Sequence, residues 1–273
     1  VREGIVADGQ LLGLPFATTG LTSLVHRPGV VTQTLPLTWT NVISETGKTL
    51  VFPADSREGA MLGLQLYLAE GGALVDETGQ QILETEPLAR ALTTLGVNKD
   101  NLLQSRQLKT PDEAWQYHQL GLSDFLWVTS DFLLGQLAVD PSLEERIEHD
   151  PVPGVSGQLI PLTNSWAWAV STADPARQIL AKDLIAFLAA PENLANWSSR
   201  SQVLPARRSA VAILAEDIPY YQFAAGQMEI AQTMPLNETG RLLDVMGDAV
   251  FQVMTTESSP VLIAEQAAMA LRQ

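Results

Sequence analysis

The sequence contains no cysteine, only three histidines and few cationic side chains. The absence of cysteine excludes disulfide bonds, thiol nucleophiles and zinc–thiolate sites. The 16 Lys and Arg residues stand against 31 Asp and Glu residues, which gives a formal charge of −15. Binding to nucleic acid depends on cations that neutralise phosphates, so nucleic acid is not an expected partner. The sequence also lacks a run of about 18 apolar residues, the length that a membrane-spanning helix needs.

The motifs of nucleotide binding and nucleophilic catalysis are missing as well. There is no GxxxxGK[ST] loop, and no GxGxxG follows a strand. The segment GVSG at Gly154–Gly157 lacks the GxSxG spacing of a nucleophile elbow, and His26, His118 and His149 stand in unrelated sequence contexts. We therefore predict no Ser–His–Asp triad, no catalytic residue and no cofactor.

Two acidic stretches could suggest a metal ion, but neither has the required ligand spacing. Glu144, Glu145 and Glu148 with His149 are more typical of a solvated helix face. Asp76–Gly79 resembles only the opening of a calcium loop and is better explained as a tight turn. We predict no metal site. A pair of carboxylates for glycoside hydrolysis stays open, because any two acids can converge in the fold.

The chain of 273 residues, 46% hydrophobic, is long enough for two lobes or one large α/β domain. Short apolar strands are predicted at Leu11–Phe16 and Leu21–His26, joined by a turn at 17–20. Asp124–Thr129 is predicted as a buried strand, followed by a helix from Ser130. Asp55 or Ser56 can cap a helix that ends before Gly71. Beyond Asp174–Pro175, a typical helix start, the sequence is nearly all helical, and Leu242, Met246, Ala249 and Val253 form one apolar face. This alternation favours an α/β fold with a partly parallel sheet.

The segment PLTNSWAWAVST (Pro161–Thr172) has the pattern of a strand with two indoles on one face. Either both Trp166 and Trp168 are core residues, or one of them lines a binding site. The small Ala167 and Ala169 on the other face are interpreted as space for the following helix to pack close. That helix carries an apolar stripe, formed by Ile179, Leu180, Leu184, Phe187 and Leu188.

From Trp166 to Val211 the sequence reads WAWAVSTADPARQILAKDLIAFLAAPENLANWSSRSQVLPARRSAV. Its order of a Trp-bearing strand, FLxxPExxxxW and LPARxxA resembles the extracellular solute-binding proteins of ABC importers, specifically the carbohydrate-binding group similar to maltose-binding protein. The segments LLGLPFATTGLTSLVHRPG, LPLTWTNV and LYLAEGGALVDETGQQI agree with further motifs of that family. The resemblance runs from about Leu11 to Gln273.

This resemblance implies an α/β, periplasmic-binding-protein-like two-lobed fold of type II. Lobe one would comprise residues 1–19 and 161–207, and lobe two residues 20–160 and 208–273. Family members carry an N-terminal β-α-β-α segment before the GLPF strand, and no such segment is recognisable here. Lobe one is therefore expected to be incomplete and to leave an apolar sheet edge or face uncovered, through which copies could self-associate.

The resemblance also implies ligand contacts in a cleft between the lobes. Trp168 would be core, and Arg207 would tie the LPAR turn to a helix end. Gly59, Ala60 and Met61 stand where sugar-binding members often have aromatics, which argues against a maltose-like oligosaccharide. The residues expected to contact ligand are Asn164, Ser165, Trp166, Thr18, Thr19, Phe132, Asp55 and Arg57.

The expected function is binding of a small solute, with carbohydrate favoured, by hinge closure and its delivery to the membrane permease of an ABC importer. The protein would be extracytoplasmic, either periplasmic or a cell-surface lipoprotein, and not an enzyme. A polyamine, an amino acid or a metal chelate is an alternative ligand. A carbohydrate-active enzyme with two carboxylates is the rival from another class.

Overall fold

The computed structural model describes residues 6–7, 10–11, 13–31, 37–39, 42–43, 49–102, 105–155, 157–234 and 239–272. The chain forms two compact units, each built from three segments. Unit 1 comprises Val1–Leu21, Thr129–Glu145 and Pro161–Met234, and unit 2 comprises Thr22–Val128, Arg146–Ile160 and Pro235–Gln273.

The described residues form both strands and helices, and helices predominate after Trp168, as the sequence pattern indicates. The strands are β1 (Val6–Ala7), β2 (Gln10–Leu11), β3 (Leu14–Thr19), β4 (Thr22–His26), β5 (Leu50–Val51), β6 (Phe125–Thr129), β7 (Glu148–Asp150), β8 (Leu162–Trp168), β9 (Leu204–Pro205) and β10 (Gln232–Thr233). The helices are α1 (Arg57–Ala69), α2 (Thr85–Val97), α3 (Pro111–Gln119), α4 (Ser130–Val139), α5 (Pro175–Leu188), α6 (Pro191–Ser201), α7 (Arg208–Leu214), α8 (Tyr220–Ile230), α9 (Thr239–Thr255) and α10 (Pro260–Arg272).

Unit 1 contains a mixed sheet with the strand order β10-β8-β3-β9. Strand β3 is central and pairs antiparallel with both β8 and β9, whereas β10 runs parallel to β8. The predicted turn at 17–20 is wrong, because β3 continues to Thr19 and the chain turns only at Gly20, whose φ is +77°. Ala17 and Thr18 are buried between two paired strands, and this pairing outweighs the turn signal.

Unit 2 contains a second mixed sheet with the order β5-β6-β4-β7. Strand β6 is buried at every residue, as predicted, and so is β4. A polar chain crosses this core: Trp127 Nε1 donates to Gln65 Oε1 (3.4 Å), and Gln65 Nε2 donates to Thr22 Oγ1 (2.7 Å). The buried side chains of Trp127, Gln65 and Thr22 therefore satisfy one another, as buried polar groups require.

The helix starts follow local sequence signals. Ser56 caps α1 by accepting hydrogen bonds from the backbone N–H groups of Glu58 and Gly59. Asp174 caps α5 in the same way, with Pro175 in its first turn. The turn prediction at 76–79 is confirmed, since Asp76 Oδ1 accepts from the backbone nitrogen of Thr78 at 2.8 Å.

The two apolar helix faces expected from the sequence have different surroundings. On α9, Leu242, Met246, Ala249 and Val253 are buried, as predicted. On α5 no residue is buried. Its apolar stripe faces solvent.

The lobe limits implied by the resemblance stay a prediction. The compact units place residues 129–145 and 208–234 with unit 1, whereas the predicted limits assign both ranges to lobe two. Within the described residues, no helix has the length and apolar character needed to cross a membrane.

Candidate functional site

Five of the predicted contact residues lie on two paired strands of unit 1. In the β3–β8 pairing, Thr19 lies opposite Asn164, and Thr18 lies opposite Ser165. Since side chains alternate along a strand, Asn164, Trp166 and Thr19 share one face of the sheet, and Thr18 and Ser165 share the other. The sheet therefore groups the five residues but divides them between its two faces.

The two indoles of β8 have different environments. Trp168 is half-buried and stacks on Phe16, with ring centroids 4.2 Å apart and an interplanar angle of 2°. Trp197 meets the edge of Phe16 at 5.2 Å. Among the described residues Trp166 makes no such ring stack, and it is 60% exposed, so much of its indole is accessible.

The interpretation of Ala167 and Ala169 is wrong. Both residues are exposed rather than covered by a closely packed helix. Small residues at these positions thus do not mark a tight helix–sheet contact.

The other face of the same sheet carries a row of hydroxyl groups. Thr233 pairs with Thr163 across β10 and β8, and Thr18 pairs with Ser165 across β3 and β8. All four side-chain oxygens are buried and have no hydrogen-bond partner in the described structure. An unsatisfied buried hydroxyl costs about 1–3 kcal/mol, so each of these groups would gain free energy from a hydrogen bond.

Thr18 also lines a cavity of about 300 Å³ between β9, α7 and α8. Pro205, Val211 and Met228 contribute apolar walls. The lining also includes Arg208 and Glu229, which form an exposed ion pair with an N–O distance of 3.1 Å.

Phe132 lies near the beginning of α4, which is tied to the end of β3. The backbone nitrogen of Gly20 donates to Asp131 Oδ1 (3.0 Å), and the backbone nitrogen of Ser130 donates to the carbonyl oxygen of Leu21 (2.6 Å). These bonds hold the first turn of α4 beside the residues that follow Thr19. Phe132 is half-buried there and belongs to the same unit as the β3 and β8 contacts.

Asp55 and Arg57 lie in unit 2, at the beginning of α1. Both are exposed and line a cavity of about 320 Å³ whose other wall is the first half of α9. That helix adds Asp244 and Asp248, which the sequence analysis missed. Their spacing of four residues, which places both carboxylates on the exposed side of a helix, was the sequence signal that could have identified them. Three carboxylates and one guanidinium give this cavity hydrogen-bond acceptors and a net negative charge.

The absence of aromatics beside this cavity has a packing reason. Gly59, Ala60 and Met61 are buried in the first turns of α1. A Cβ atom on Gly59 would lie 2.6 Å from the carbonyl oxygen of Ala54. No aromatic side chain fits at this position.

Two buried histidines of unit 2 have shifted pKa values. Burial lowers the pKa of His26, but hydrogen bonds to Asp150 and to the carbonyl of Arg27, with the charges of Asp150 and Glu148, raise it overall. Burial and the charges of Arg27 and His26 lower the pKa of His118 to about 4. In the described part of the chain, no group of three acidic or histidine side chains is arranged to hold a metal ion.

The expected structural role of Arg207 is confirmed. Its guanidinium donates to the carbonyl oxygen of Ala189, the residue that ends α5. Glu144, predicted on a solvated face, is half-buried instead. It accepts a hydrogen bond from the backbone nitrogen of Tyr220 at 2.8 Å, and burial raises its pKa.

Comparisons with known proteins identify a family and several similar solved structures. A family model described as bacterial extracellular solute-binding protein matches residues 3–223. The maltose-bound MalE3 of T. maritima is 18% identical, with a TM-score of 0.74 over 98% of this chain and 74% of that one. An extracellular solute-binding protein of Staphylococcus aureus in complex with maltose is 16% identical, with a TM-score of 0.76 over 98% and 72%.

A third solved structure, the GacH receptor of Streptomyces glaucescens, studied with acarbose, is 17% identical, with a TM-score of 0.70 over 98% of this chain and 72% of that one. No curated protein matches the chain. At these identities the solved structures share the fold.

Proposed function

This chain belongs to the family of bacterial extracellular solute-binding proteins, and we propose that its solute is a short neutral sugar, delivered to the permease of an ABC importer. One observation carries the proposal. The 60% exposed indole of Trp166 lies on a strand face that also carries Asn164 and Thr19. Three similar structures of low identity contain or were studied with maltose or acarbose, which supports the same ligand class.

The chemistry of that face suits a sugar. An indole offers a flat apolar surface to the C–H face of a pyranose, and such a stack contributes about 0.5–1.5 kcal/mol beyond simple burial. The Asn164 amide and the Thr19 hydroxyl both donate and accept hydrogen bonds, as sugar hydroxyls do. A micromolar dissociation constant needs about 8 kcal/mol, so several contacts of this kind must act together.

The cavity between α1 and α9 in unit 2 favours a short sugar over an oligosaccharide, or a solute of a different class. With Gly59 packed against the backbone, α1 offers no stacking surface for the further rings of an oligosaccharide. The carboxylates of Asp55, Asp244 and Asp248 line this cavity, and cationic ammonium groups pair with carboxylates. A polyamine is therefore the second candidate ligand.

Thermal melting with glucose, maltose, acarbose and spermidine tests both candidates. A ligand that binds only the folded state raises the melting temperature. At a free ligand concentration of 100 times the dissociation constant, it adds about 2.7 kcal/mol to the free energy of unfolding. We expect stabilisation by a sugar. Stabilisation by spermidine alone, abolished by Asp244→Asn with Asp248→Asn, would replace sugar with polyamine.

A tryptophan pair then locates the sugar contact. Trp166→Ala should weaken sugar binding about 3- to 10-fold in calorimetry with little loss of stability, since the indole is mostly exposed. Trp197→Ala removes an indole that packs against Phe16, so it should lower stability and leave the affinity unchanged. Equal affinities in wild type and Trp166→Ala contradict the proposed contact.

Family membership and the solved relatives are those of binding proteins, and we infer that this chain likewise releases its sugar unaltered. The rival of a carbohydrate-active enzyme predicts turnover by two carboxylates. Prolonged incubation with maltose, followed by chromatography of the sugars, should return maltose alone; glucose released in proportion to protein would favour the enzyme.

A further inference from the structure

Gln65 lies in the middle of α1 and is fully buried. Its side-chain amide makes three hydrogen bonds, all within unit 2. Nε2 donates to Thr22 Oγ1 at 2.7 Å and to the carbonyl oxygen of Ile160 at 3.2 Å. Oε1 accepts from Trp127 Nε1 at 3.4 Å. Both N–H donors and the carbonyl oxygen of the amide are therefore engaged, as a buried amide requires.

The partners of this amide fix its orientation. An indole N–H can only donate and a backbone carbonyl can only accept, so Trp127 must face Oε1 and Ile160 must face Nε2. A rotation of the amide by half a turn would break both hydrogen bonds at once. Gln65, Thr22 and Trp127 are each at most 1% exposed, so water has no access to replace a lost partner. A satisfied buried network of this kind specifies one arrangement of its members.

The three partners of Gln65 have a common position in the chain, because each lies where the polypeptide passes between the two units. Thr22 is the first residue of unit 2 after the crossing at residue 21, and Trp127 precedes the last residue of unit 2 before the crossing at residue 128. The carbonyl of Ile160 belongs to the peptide bond that joins unit 2 to Pro161 of unit 1. One side chain thus holds the unit 2 ends of three of the five crossing segments.

The helix that carries Gln65 also carries a candidate solute contact. Helix α1 begins at Arg57, which lines the cavity between α1 and α9. Gln65 lies eight residues further along, or about 12 Å of helix. A helix is a rigid element over this length, so a displacement of its first turn by a bound solute is transmitted to the Gln65 amide.

We propose that Gln65 is the positioning residue of the hinge between the units. By holding three crossing segments to α1, it restricts them to one arrangement and couples their movement to the solute cavity. Removal of the amide should leave both sheets folded but widen the range of positions that the units sample. The link to the solute rests on the proposed function, whereas the effect on the crossing segments does not.

The distribution of distances between the units tests the hinge directly. The chain has no cysteine, so Val139→Cys in unit 1 and Val97→Cys in unit 2, both at exposed positions, can each carry one nitroxide spin label. Double electron–electron resonance without solute then measures the distribution of the distance between the labels. Gln65→Met keeps an unbranched side chain of similar length and removes the amide. It should broaden this distribution.

Ser105→Ala is the matched control. Ser105 is fully buried in unit 2, where its Oγ accepts from the backbone nitrogen of Phe52 at 3.2 Å and donates to the carbonyl oxygen of Leu50 at 3.4 Å. None of these three residues adjoins a crossing. Ser105→Ala should lower the urea midpoint, as Gln65→Met does, and leave the distance distribution unchanged. Thr22→Val detaches a single crossing segment, so it should broaden the distribution less, and it carries the test if Gln65→Met does not fold.

Solute affinity provides a second readout. Gln65→Met should weaken binding of the stabilising sugar by about 2- to 30-fold in calorimetry, the range of coupling effects in packed networks. Ser105→Ala should bind like the wild type. A wild-type distance distribution or a wild-type affinity in Gln65→Met, or equal broadening in Ser105→Ala, would each overturn the proposal. If no sugar raises the melting temperature of the wild type, the proposed function fails, and the distance measurement still decides the role of Gln65.

Discussion

Two threonines provide a matched test of how buried hydroxyls contribute to this fold. Thr18 in unit 1 and Thr22 in unit 2 are each 1% exposed and lie in strands. Thr18 Oγ1 has no hydrogen-bond partner in the part of the chain that the structure describes, whereas Thr22 Oγ1 accepts a hydrogen bond from Gln65 Nε2 at 2.7 Å. Valine has nearly the shape of threonine, so the substitution Thr→Val removes the hydroxyl and little else at both sites.

The two substitutions should have opposite signs. Thr18→Val removes an unsatisfied polar group and should raise the free energy of unfolding by about 1 kcal/mol. Thr22→Val leaves the buried amide of Gln65 without one acceptor and should lower it by about 1–3 kcal/mol. With a urea m-value of about 2 kcal/mol/M, the first change raises the unfolding midpoint by about 0.5 M and the second lowers it by about 0.5–1.5 M.

Urea titrations followed by circular dichroism measure both midpoints. If Thr18→Val lowers the midpoint as Thr22→Val does, the Thr18 hydroxyl is satisfied in solution and the reasoning fails. The same variant also tests the predicted ligand contact of Thr18. A weaker sugar affinity without a loss of stability would assign that hydroxyl to the ligand.

Two further predictions concern packing and pH. Gly63→Ala should lower the free energy of unfolding by about 1–3 kcal/mol, because the added Cβ would lie 2.5 Å from Val250 Cγ2. Gly226→Ala, whose added Cβ would have no atom within 4 Å, should instead raise it by up to about 1 kcal/mol through α8, in the same urea assay. Burial and the charges of Arg27 and His26 lower the pKa of His118 from 6.5 to about 4. Because the unfolded state then binds the proton more readily, the contribution of His118 to stability is present above pH 6.5 and is lost as the pH falls towards 4. His118→Gln should flatten the pH dependence of the melting temperature in that window, and an unchanged slope would contradict the shift.

Local sequence signals predicted the parts of the fold that local interactions determine. The apolar run of β6, the caps at Ser56 and Asp174 and the buried face of α9 all depend on residues close together in the chain. The turn at 17–20 was mispredicted because β3 gains partners from residues far along the chain. Pairing between distant strands overrides a local turn preference.

Periodicity identified the apolar stripe of α5 but not its surroundings. The pattern of Leu180, Leu184 and Phe187 specifies which side of the helix is apolar, whereas exposure depends on what the rest of the fold supplies. The same limit explains the error at Ala167 and Ala169, where small size was taken as evidence of close packing.

The sequence predicted part of the candidate site. The motif around Trp166 grouped Asn164, Ser165 and the β3 threonines through a family resemblance, and the strand register places them on paired strands. Asp244 and Asp248 could not be connected with Asp55 from the sequence, because nearly 190 residues separate them and only the packing of α1 against α9 makes them neighbours. Their contact with a solute stays a prediction.

The three-segment construction of each unit has a consequence for biosynthesis. The polypeptide passes from one unit to the other after residues 21, 128, 145, 160 and 234. Unit 1 cannot be completed before Met234 leaves the ribosome, and unit 2 must wait for the segment Pro235–Gln273. Neither unit can therefore be completed early on the nascent chain, although domains made of one continuous segment commonly are. Both units must therefore assemble late, when segments that lie far apart in the sequence have all been synthesised.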